Sequence, residues 1–210
     1  MINLVRKDLL LVKRYWVLMG LAAFVVPLLF SWQAVSVDVF YTFLLITSFE
    51  IFMLYQFVAM VEVRYRKAVS LVAAAPYPRK RHVVAKYIFF ALVFTYCYVA
   101  FTVVAIVLPN VGHLSVLNIL WAVCLLAFIY GIYVPVQYKF GYEKIRIIFM
   151  VVVIGIPYLL PSALERLYEL DIASIVPAPL LYIAPILLTV GIFAASIFAS
   201  IKMFEKQDII

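Results

Sequence analysis

Runs of about twenty apolar residues recur along this chain, and they decide what it can fold into. A run of that length crosses roughly 30 Å of hydrocarbon as a helix. The 210-residue chain is 69% hydrophobic and only 13% charged, which is about half the charged content of an average soluble domain. The sequence therefore predicts an integral membrane protein.

The predicted fold is an all-α membrane domain that takes up residues 1–210 as a single unit. The apolar runs are continuous rather than alternating, which favours helices over a β-barrel, the other structure that lipid permits. Six membrane-spanning helices are predicted, at Tyr15–Ser31, Val39–Val61, Tyr87–Val107, Val116–Val136, Ile145–Leu160 and Leu180–Ile201.

The positively charged residues predict the orientation of these spans. Sixteen of the seventeen Lys and Arg residues fall on one side of the predicted topology, and only Arg166 falls on the other. Cytoplasmic segments of membrane proteins carry this excess. Both termini and the basic segments are therefore expected in the cytoplasm, where a net charge of +7 suits a membrane surface. Nucleic acid is not expected as a partner.

The N-terminal segment has the pattern of an amphipathic helix that lies at the membrane interface. The alternative is a positive flank that only orients the first span. The apolar residues of one stripe are Ile2, Val5, Leu9, Val12 and Trp16, and the basic residues of the other are Arg6, Lys7, Lys13 and Arg14.

The segment between the second and third predicted spans, Glu62–Lys86, is longer than a simple connection requires. Apolar residues spaced for one face of a helix predict a short amphipathic helix that ends near Ala74, because Pro76 disfavours helical geometry at the residue before it. The stripe consists of Tyr65, Ala68, Val69, Val72 and Ala73. Either this helix contacts another protein, or it lies on the lipid headgroups.

This segment carries a resemblance to a known family. Residues 66–89 read RKAVSLVAAAPYPRKRHVVAKYIF. With the basic N-terminus and the six predicted spans, this stretch resembles the small ABC-2-type permease subunits of bacterial ABC transporters, among them exporters of amphipathic peptides and cytotoxins. The positions that match the family pattern are Leu71, Pro76, Pro78, Arg79 and Lys86.

The resemblance implies a half-transporter in the plasma membrane. Two permease subunits, identical or different, would form the translocation path, and a separate ABC ATPase would bind ATP and dock from the cytoplasm. The resemblance places a coupling helix in Glu62–Ala74. The residues that it implies for ATPase coupling are Glu62, Arg66, Lys67, Val69, Val72, Pro76 and Arg79. Larger relatives have two re-entrant helices before the last span, whereas 161–179 has room for one short helix.

The sequence contains none of the motifs expected of an enzyme. It has no G-x-x-x-x-G-K-[ST] phosphate loop, so any ATP would be bound by another chain, and no cofactor is expected on this one. His82 and His113 fall on opposite sides of the predicted membrane and cannot share a site. Cys97 and Cys124 lie within predicted spans and are interpreted as small apolar residues.

Glu50 is the most unusual polar residue, because it lies near the middle of the second predicted span. A carboxylate at that depth costs about 2.5–3.5 kcal/mol on insertion scales. Thr47 shares its face of the helix one turn away. Either the two residues line the translocation path, or Glu50 is a neutral acid hydrogen-bonded within the bundle. An ion-coupled secondary carrier or channel that uses Glu50 is the alternative to an ATP-driven exporter.

Overall fold

The protein is described by a computed structural model that covers residues 2–32, 38–65, 79–108, 112–145 and 178–205. All regular structure in these ranges is helical. The six helices are α1 (Ile2–Leu11), α2 (Lys13–Trp32), α3 (Val39–Arg64), α4 (Arg79–Val107), α5 (Val116–Phe140) and α6 (Ala178–Glu205). A further helical turn covers 142–145.

Four helices in the described ranges are long and apolar enough to cross a membrane, namely Val39–Arg64, Lys80–Val107, Val116–Phe140 and Pro179–Phe204. They coincide with the second, third, fourth and sixth predicted spans. The first predicted span is helical as α2, whose apolar stretch Met19–Leu28 is shorter. The fifth, Ile145–Leu160, lies outside the described residues except for Ile145. An all-helical membrane protein is therefore confirmed, and the count of six spans stays a prediction.

Local sequence signals fix several helix ends. Asp38 caps α3, and its carboxylate accepts a hydrogen bond from Phe40 N at 3.0 Å. Ser115 caps α5 in the same way through Asn118 N, at 3.2 Å. Both side chains occupy backbone donors that the first helical turn leaves free. At the other end of α5, Gly141 has a φ of 80°, the left-handed conformation that commonly ends a helix and that glycine adopts without strain.

Contacts along the helices show which pairs are parallel and which are antiparallel. Phe43 on α3 meets Phe101 on α4 near one end of the bundle, and Glu62 meets Lys86 near the other, so α3 and α4 are antiparallel. We call the end that holds Glu62 and Lys86 the charged end.

Helices α5 and α6, by contrast, run parallel to each other. Gly131 of α5 lies against Ser196 of α6, and seven residues later Tyr138 packs against Phe204 at a ring-centroid distance of 5.1 Å. Because these contacts advance together along both helices, α6 begins at the end of the bundle opposite to the one where α5 ends. The predicted fifth span would return the chain to that end.

The core of the bundle is aromatic. Its rings come from α3, α4, α5 and α6 and meet mostly edge to face, with centroids between 4.8 and 6.4 Å apart. Aromatic pairs favour such arrangements, since the edge of one ring is attracted to the face of the next. One connected set of rings consists of Phe52, Tyr55, Tyr87, Phe90, Tyr130, Tyr133 and Phe193.

The predicted N-terminal helix exists as α1, and its apolar side packs on the protein. Leu4 and Val5 are buried against Ala85 of α4, with Leu9 partly buried beside them. Arg6 is exposed on the other side. The amphipathic pattern is therefore confirmed as a helix whose apolar residues contact α4, and its placement at a lipid interface stays a prediction.

Candidate functional site

Four charged side chains at the charged end form a closed set of ion pairs. Lys7 Nζ lies 3.1 Å from Asp8 Oδ1 and 3.0 Å from Glu62 Oε1. Lys86 Nζ lies 3.3 Å from Asp8 Oδ2 and 3.0 Å from Glu62 Oε1. Positive and negative groups alternate around this set, which we call the ion-pair ring. It joins α1, the last turns of α3 and the beginning of α4.

The two halves of the ion-pair ring differ in exposure. The side chains of Asp8 and Lys86 are 2% and 9% exposed, whereas those of Lys7 and Glu62 are 29% and 25% exposed. Removing one member of a buried pair leaves an uncompensated charge out of water, which is far more costly than losing an exposed pair. Asp8 and Lys86 therefore depend on each other more strongly than Lys7 depends on Glu62.

Lys86 also contacts residues inside the bundle. Its ammonium lies 5.8 Å from the centre of the Tyr55 ring, within the range of a cation–π contact. Its backbone carbonyl accepts a hydrogen bond from Tyr130 Oη at 3.0 Å. His82, one turn earlier on α4, lies within electrostatic reach of the ring. These contacts fix α4 to α3 and α5 at the level of the ring.

Two members of the ion-pair ring, Glu62 and Lys86, lie at the two ends of the predicted coupling segment. Helix α3 continues past the predicted end of its span to Arg64, so that Glu62 occupies its last turn, and Lys86 lies two turns into α4, which begins at Arg79. The other residues implied for ATPase coupling lie outside the described residues: Arg66, Lys67, Val69, Val72 and Pro76. Of that set, the structure places Glu62 in the ring and Arg79 as the first residue of α4.

Glu50 and Thr47 form a second candidate site, well inside the bundle. Glu50 is 2% exposed and Thr47 is fully buried. Glu50 Oε1 and Thr47 Oγ1 have no hydrogen-bond partner among the described residues. Cys97 of α4, which is also buried, lies within electrostatic reach of Glu50. Buried polar atoms without partners are rare in proteins. They also occur elsewhere in the described residues, at Gln56, His82 and Gln137.

A third group of polar residues holds α4, α5 and α6 together near the charged end. Ser196 Oγ donates to the carbonyl of Gly131, so the Tyr87 hydroxyl, 2.6 Å away, donates to Ser196. Ser200 lies 3.1 Å from the same hydroxyl. On the other side, Gln56 donates to Tyr133 Oη, which ties α3 to α5. These bonds are internal, as a structural role requires, although Gln56 Oε1 has no hydrogen-bond partner among the described residues.

Sequence reasoning found part of this arrangement. It singled out Glu62, Glu50 and Thr47, but it interpreted Lys7 as part of the basic stripe of an interfacial helix, matched Lys86 only to a family pattern, and gave Asp8 no role. A signal was present, since Asp8 is an acid within an otherwise basic helix. Pairing that acid with a lysine at the mouth of a span would have predicted the ring.

Metal binding finds no support in the described ranges, where His, Cys, Asp and Glu side chains form no group of three that could hold an ion. The ring is neutral in sum, with two lysines and two carboxylates. Its chemistry is therefore that of a structural or mechanical joint between helices, whereas the Glu50 site holds buried acceptor atoms without a hydrogen-bond partner among the described residues.

Comparison with known proteins decides the class. A family model described as "ABC-2 family transporter protein" matches residues 3–205. The chain belongs to this family. This ABC-2 transporter protein is thus a multi-pass membrane protein of a family of transport subunits, which are not themselves catalytic and which associate with an ABC ATPase. No curated protein and no solved structure matches the chain.

Proposed function

We propose that this ABC-2 transporter protein is the membrane subunit of an ATP-driven exporter, and that a separate ATPase docks on its coupling segment, the stretch between Glu62 and Lys86. Glu62 itself is proposed to act in coupling by holding this segment to the bundle through the ion-pair ring, without touching the ATPase. The family match over residues 3–205 carries the proposal. Two features support it. The sequence lacks a phosphate loop of its own, and the ion-pair ring anchors both ends of the coupling segment to the bundle.

The translocation path is proposed to form between two such subunits. Glu50 and Thr47 are buried within one subunit in this structure, so they would line the path once the bundle opens. Free carboxylate and hydroxyl acceptors inside an apolar bundle suit a cargo with cationic and apolar parts. An amphipathic peptide has this chemistry, and so do other hydrophobic compounds that carry an amine. The proposed location is the plasma membrane, with both termini and the coupling segment on the cytoplasmic side, as the distribution of Lys and Arg predicts.

Co-purification with the ATPase subunit tests the docking proposal. The double variant Arg66→Glu/Lys67→Glu reverses two basic charges of the coupling segment, and Val69→Asp/Val72→Asp disrupts its apolar stripe. Either variant is expected to abolish binding of the ATPase to the membrane subunit in detergent. The matched control is Lys139→Glu/Lys144→Glu, which reverses two exposed charges outside the segment and is expected to retain binding.

A variant of the coupling segment that still binds the ATPase and still stimulates ATP hydrolysis would contradict the proposal. So would a control that loses binding equally, since a general loss of positive charge would then explain the result.

The unpaired Glu50 carboxyl favours one other function, an ion-coupled secondary carrier. Proteoliposomes distinguish the two. Transport of a cationic amphipathic peptide that needs the ATPase and ATP supports the exporter. Transport driven by a proton gradient in vesicles without the ATPase, and lost in Glu50→Gln, would support the carrier instead.

A further inference from the structure

The contacts of the ion-pair ring form a closed loop, which neither its burial nor its charge explains alone. Lys7 and Lys86 each contact both carboxylates. Glu62 Oε1 accepts from both ammonium groups at 3.0 Å. As a result, each of the three helices is tied to both of the others, and none can shift along its axis without lengthening two contacts at once.

The ring also joins segments that the chain keeps far apart. Lys7 and Asp8 are neighbours on α1, which precedes the first membrane helix, whereas Glu62 and Lys86 flank the coupling segment. Helix α1 has a second attachment to α4 through Leu4, Val5 and Ala85. Helix α1 therefore makes ionic and apolar contacts with the two helix ends from which the coupling segment begins and ends.

We infer that α1 moves with the end of α3 and the beginning of α4 as one mechanical unit, and that Lys7, Asp8, Glu62 and Lys86 are the positioning residues that hold this unit together. This inference rests on the proposed function, because it assumes that an ATPase moves the coupling segment. Charge-assisted contacts in a partly buried site are shorter and stronger than neutral ones, and packed elements with such contacts shift as rigid bodies. Motion of the coupling segment is thereby passed to α1, and from α1 to the start of α2 at Lys13.

The variant that tests the inference cuts α3 out of the ring and keeps the charges balanced. Lys7→Gln/Glu62→Gln removes one cation and one anion, and it leaves the buried Asp8–Lys86 pair intact. Lys7→Gln alone is the milder second variant, since that side chain is partly exposed. The control is Glu143→Gln, which neutralises an exposed carboxylate outside the ring.

The measurement is a distance between α1 and α6 in the complex with the ATPase subunit in lipid nanodiscs. Spin labels are placed at Leu10→Cys and Lys202→Cys, two exposed positions, and labelled protein is diluted with unlabelled protein so that each complex holds one labelled subunit. Pulsed electron resonance then compares the nucleotide-free complex with the complex trapped by ATP and vanadate.

We expect a shift of the distance on trapping in the unmodified protein and in Glu143→Gln. In Lys7→Gln/Glu62→Gln the ATPase is expected to bind still. The change of the inter-label distance on trapping is expected to be smaller than the width of the nucleotide-free distance distribution. Lys7→Gln alone is expected to reduce the shift, and it decides the question if the double variant does not fold.

Three results would overturn the inference. In the first, the distance shift persists in the ring variants. In the second, the shift is absent from the unmodified protein with the ATPase bound. In the third, the ring variants lose ATPase binding altogether, which would make the ring part of the docking surface. Failure of the proposed function gives a different result, namely no ATPase bound to the unmodified protein.

Discussion

Lys86 Nζ lies 3.0 Å from Glu62 Oε1, so the end of α3 and the beginning of α4 are joined directly although 23 residues separate them in the chain. The same ammonium lies 3.3 Å from Asp8 Oδ2 on α1. One lysine thus connects three helices at the charged end. Its loss would affect the packing of all three.

Lys86→Met is expected to lower the free energy of unfolding by about 3–5 kcal/mol, because it leaves the buried Asp8 carboxylate with only the partly exposed Lys7 as a partner in the ring. Unfolding of the purified protein in detergent, followed by circular dichroism, measures this. The matched control, Lys80→Met, changes an exposed lysine of the same helix and is expected to stay within about 0.5 kcal/mol. Equal effects of both substitutions would contradict a special role for Lys86.

Tyr87→Phe is expected to destabilise the protein by about 1–3 kcal/mol. The substitution removes the hydroxyl that bonds Ser196 and Ser200. Ser200 then loses this buried partner, and Ser196 keeps its bond to the Gly131 carbonyl. Tyr182→Phe removes a hydroxyl from an exposed ring and serves as the control, with little change in the unfolding midpoint expected. A Tyr87→Phe protein as stable as its control would show that this hydroxyl contributes nothing.

Gly131→Val is expected to weaken the packing of α5 on α6 by about 1–3 kcal/mol. A Cβ at this position would lie 2.9 Å from Ile192 Cγ2 and 3.5 Å from Ser196 Cβ, so the helices have to separate. Gly191→Val provides the contrast, because nothing lies within 4 Å of a Cβ there. Unfolding midpoints that fall together in both variants would rule out a steric cause specific to Gly131.

Glu50→Leu is expected to raise stability by about 1–3 kcal/mol while it lowers transport. A carboxyl group without a partner in an apolar bundle costs free energy, and proteins keep such groups where function needs them. The exposed Glu143 provides the control, since Glu143→Leu should change neither property. A loss of stability in Glu50→Leu would contradict the prediction and indicate a partner for the carboxyl outside the described residues.

Thiol reagents should distinguish buried from exposed positions. Cys97 and Cys124 are both buried, so a maleimide is expected to label neither in the folded protein and both after denaturation in sodium dodecyl sulfate. Leu10→Cys adds a thiol at an exposed position of α1 and is expected to react at once in the folded state. Rapid labelling of the unmodified protein would contradict the packing of α4 and α5.

The sequence predicts the helices of this fold well because the physical constraint is strong. Lipid requires every backbone donor to be bonded within the segment, so apolar length alone identifies Val39–Arg64 and Val116–Phe140 to within a few residues. Helix ends outside the hydrocarbon obey weaker rules. Helix α3 therefore continues to Arg64, three residues beyond the predicted end of its span.

The ion-pair ring was harder to predict, because counting basic residues treats each of them as a charge in water. Lys86 belongs to the excess that sets the orientation, yet its side chain is nearly buried. What separates Lys86 from Lys80 is the position of α1, a tertiary contact that no periodicity in α4 encodes. Glu50 was easier to identify, because a lone acid within an apolar run is conspicuous in the sequence itself.

The parallel packing of α5 and α6 bears on how the protein is made. Successive helices of a membrane protein can pair as antiparallel hairpins while they leave the ribosome, but two parallel helices cannot pair in this way. Ser196 and Ser200 reach Tyr87 from more than a hundred positions downstream. The Tyr87 hydroxyl and the surface around Gly131 therefore acquire their α6 partners only after α6 has been synthesised.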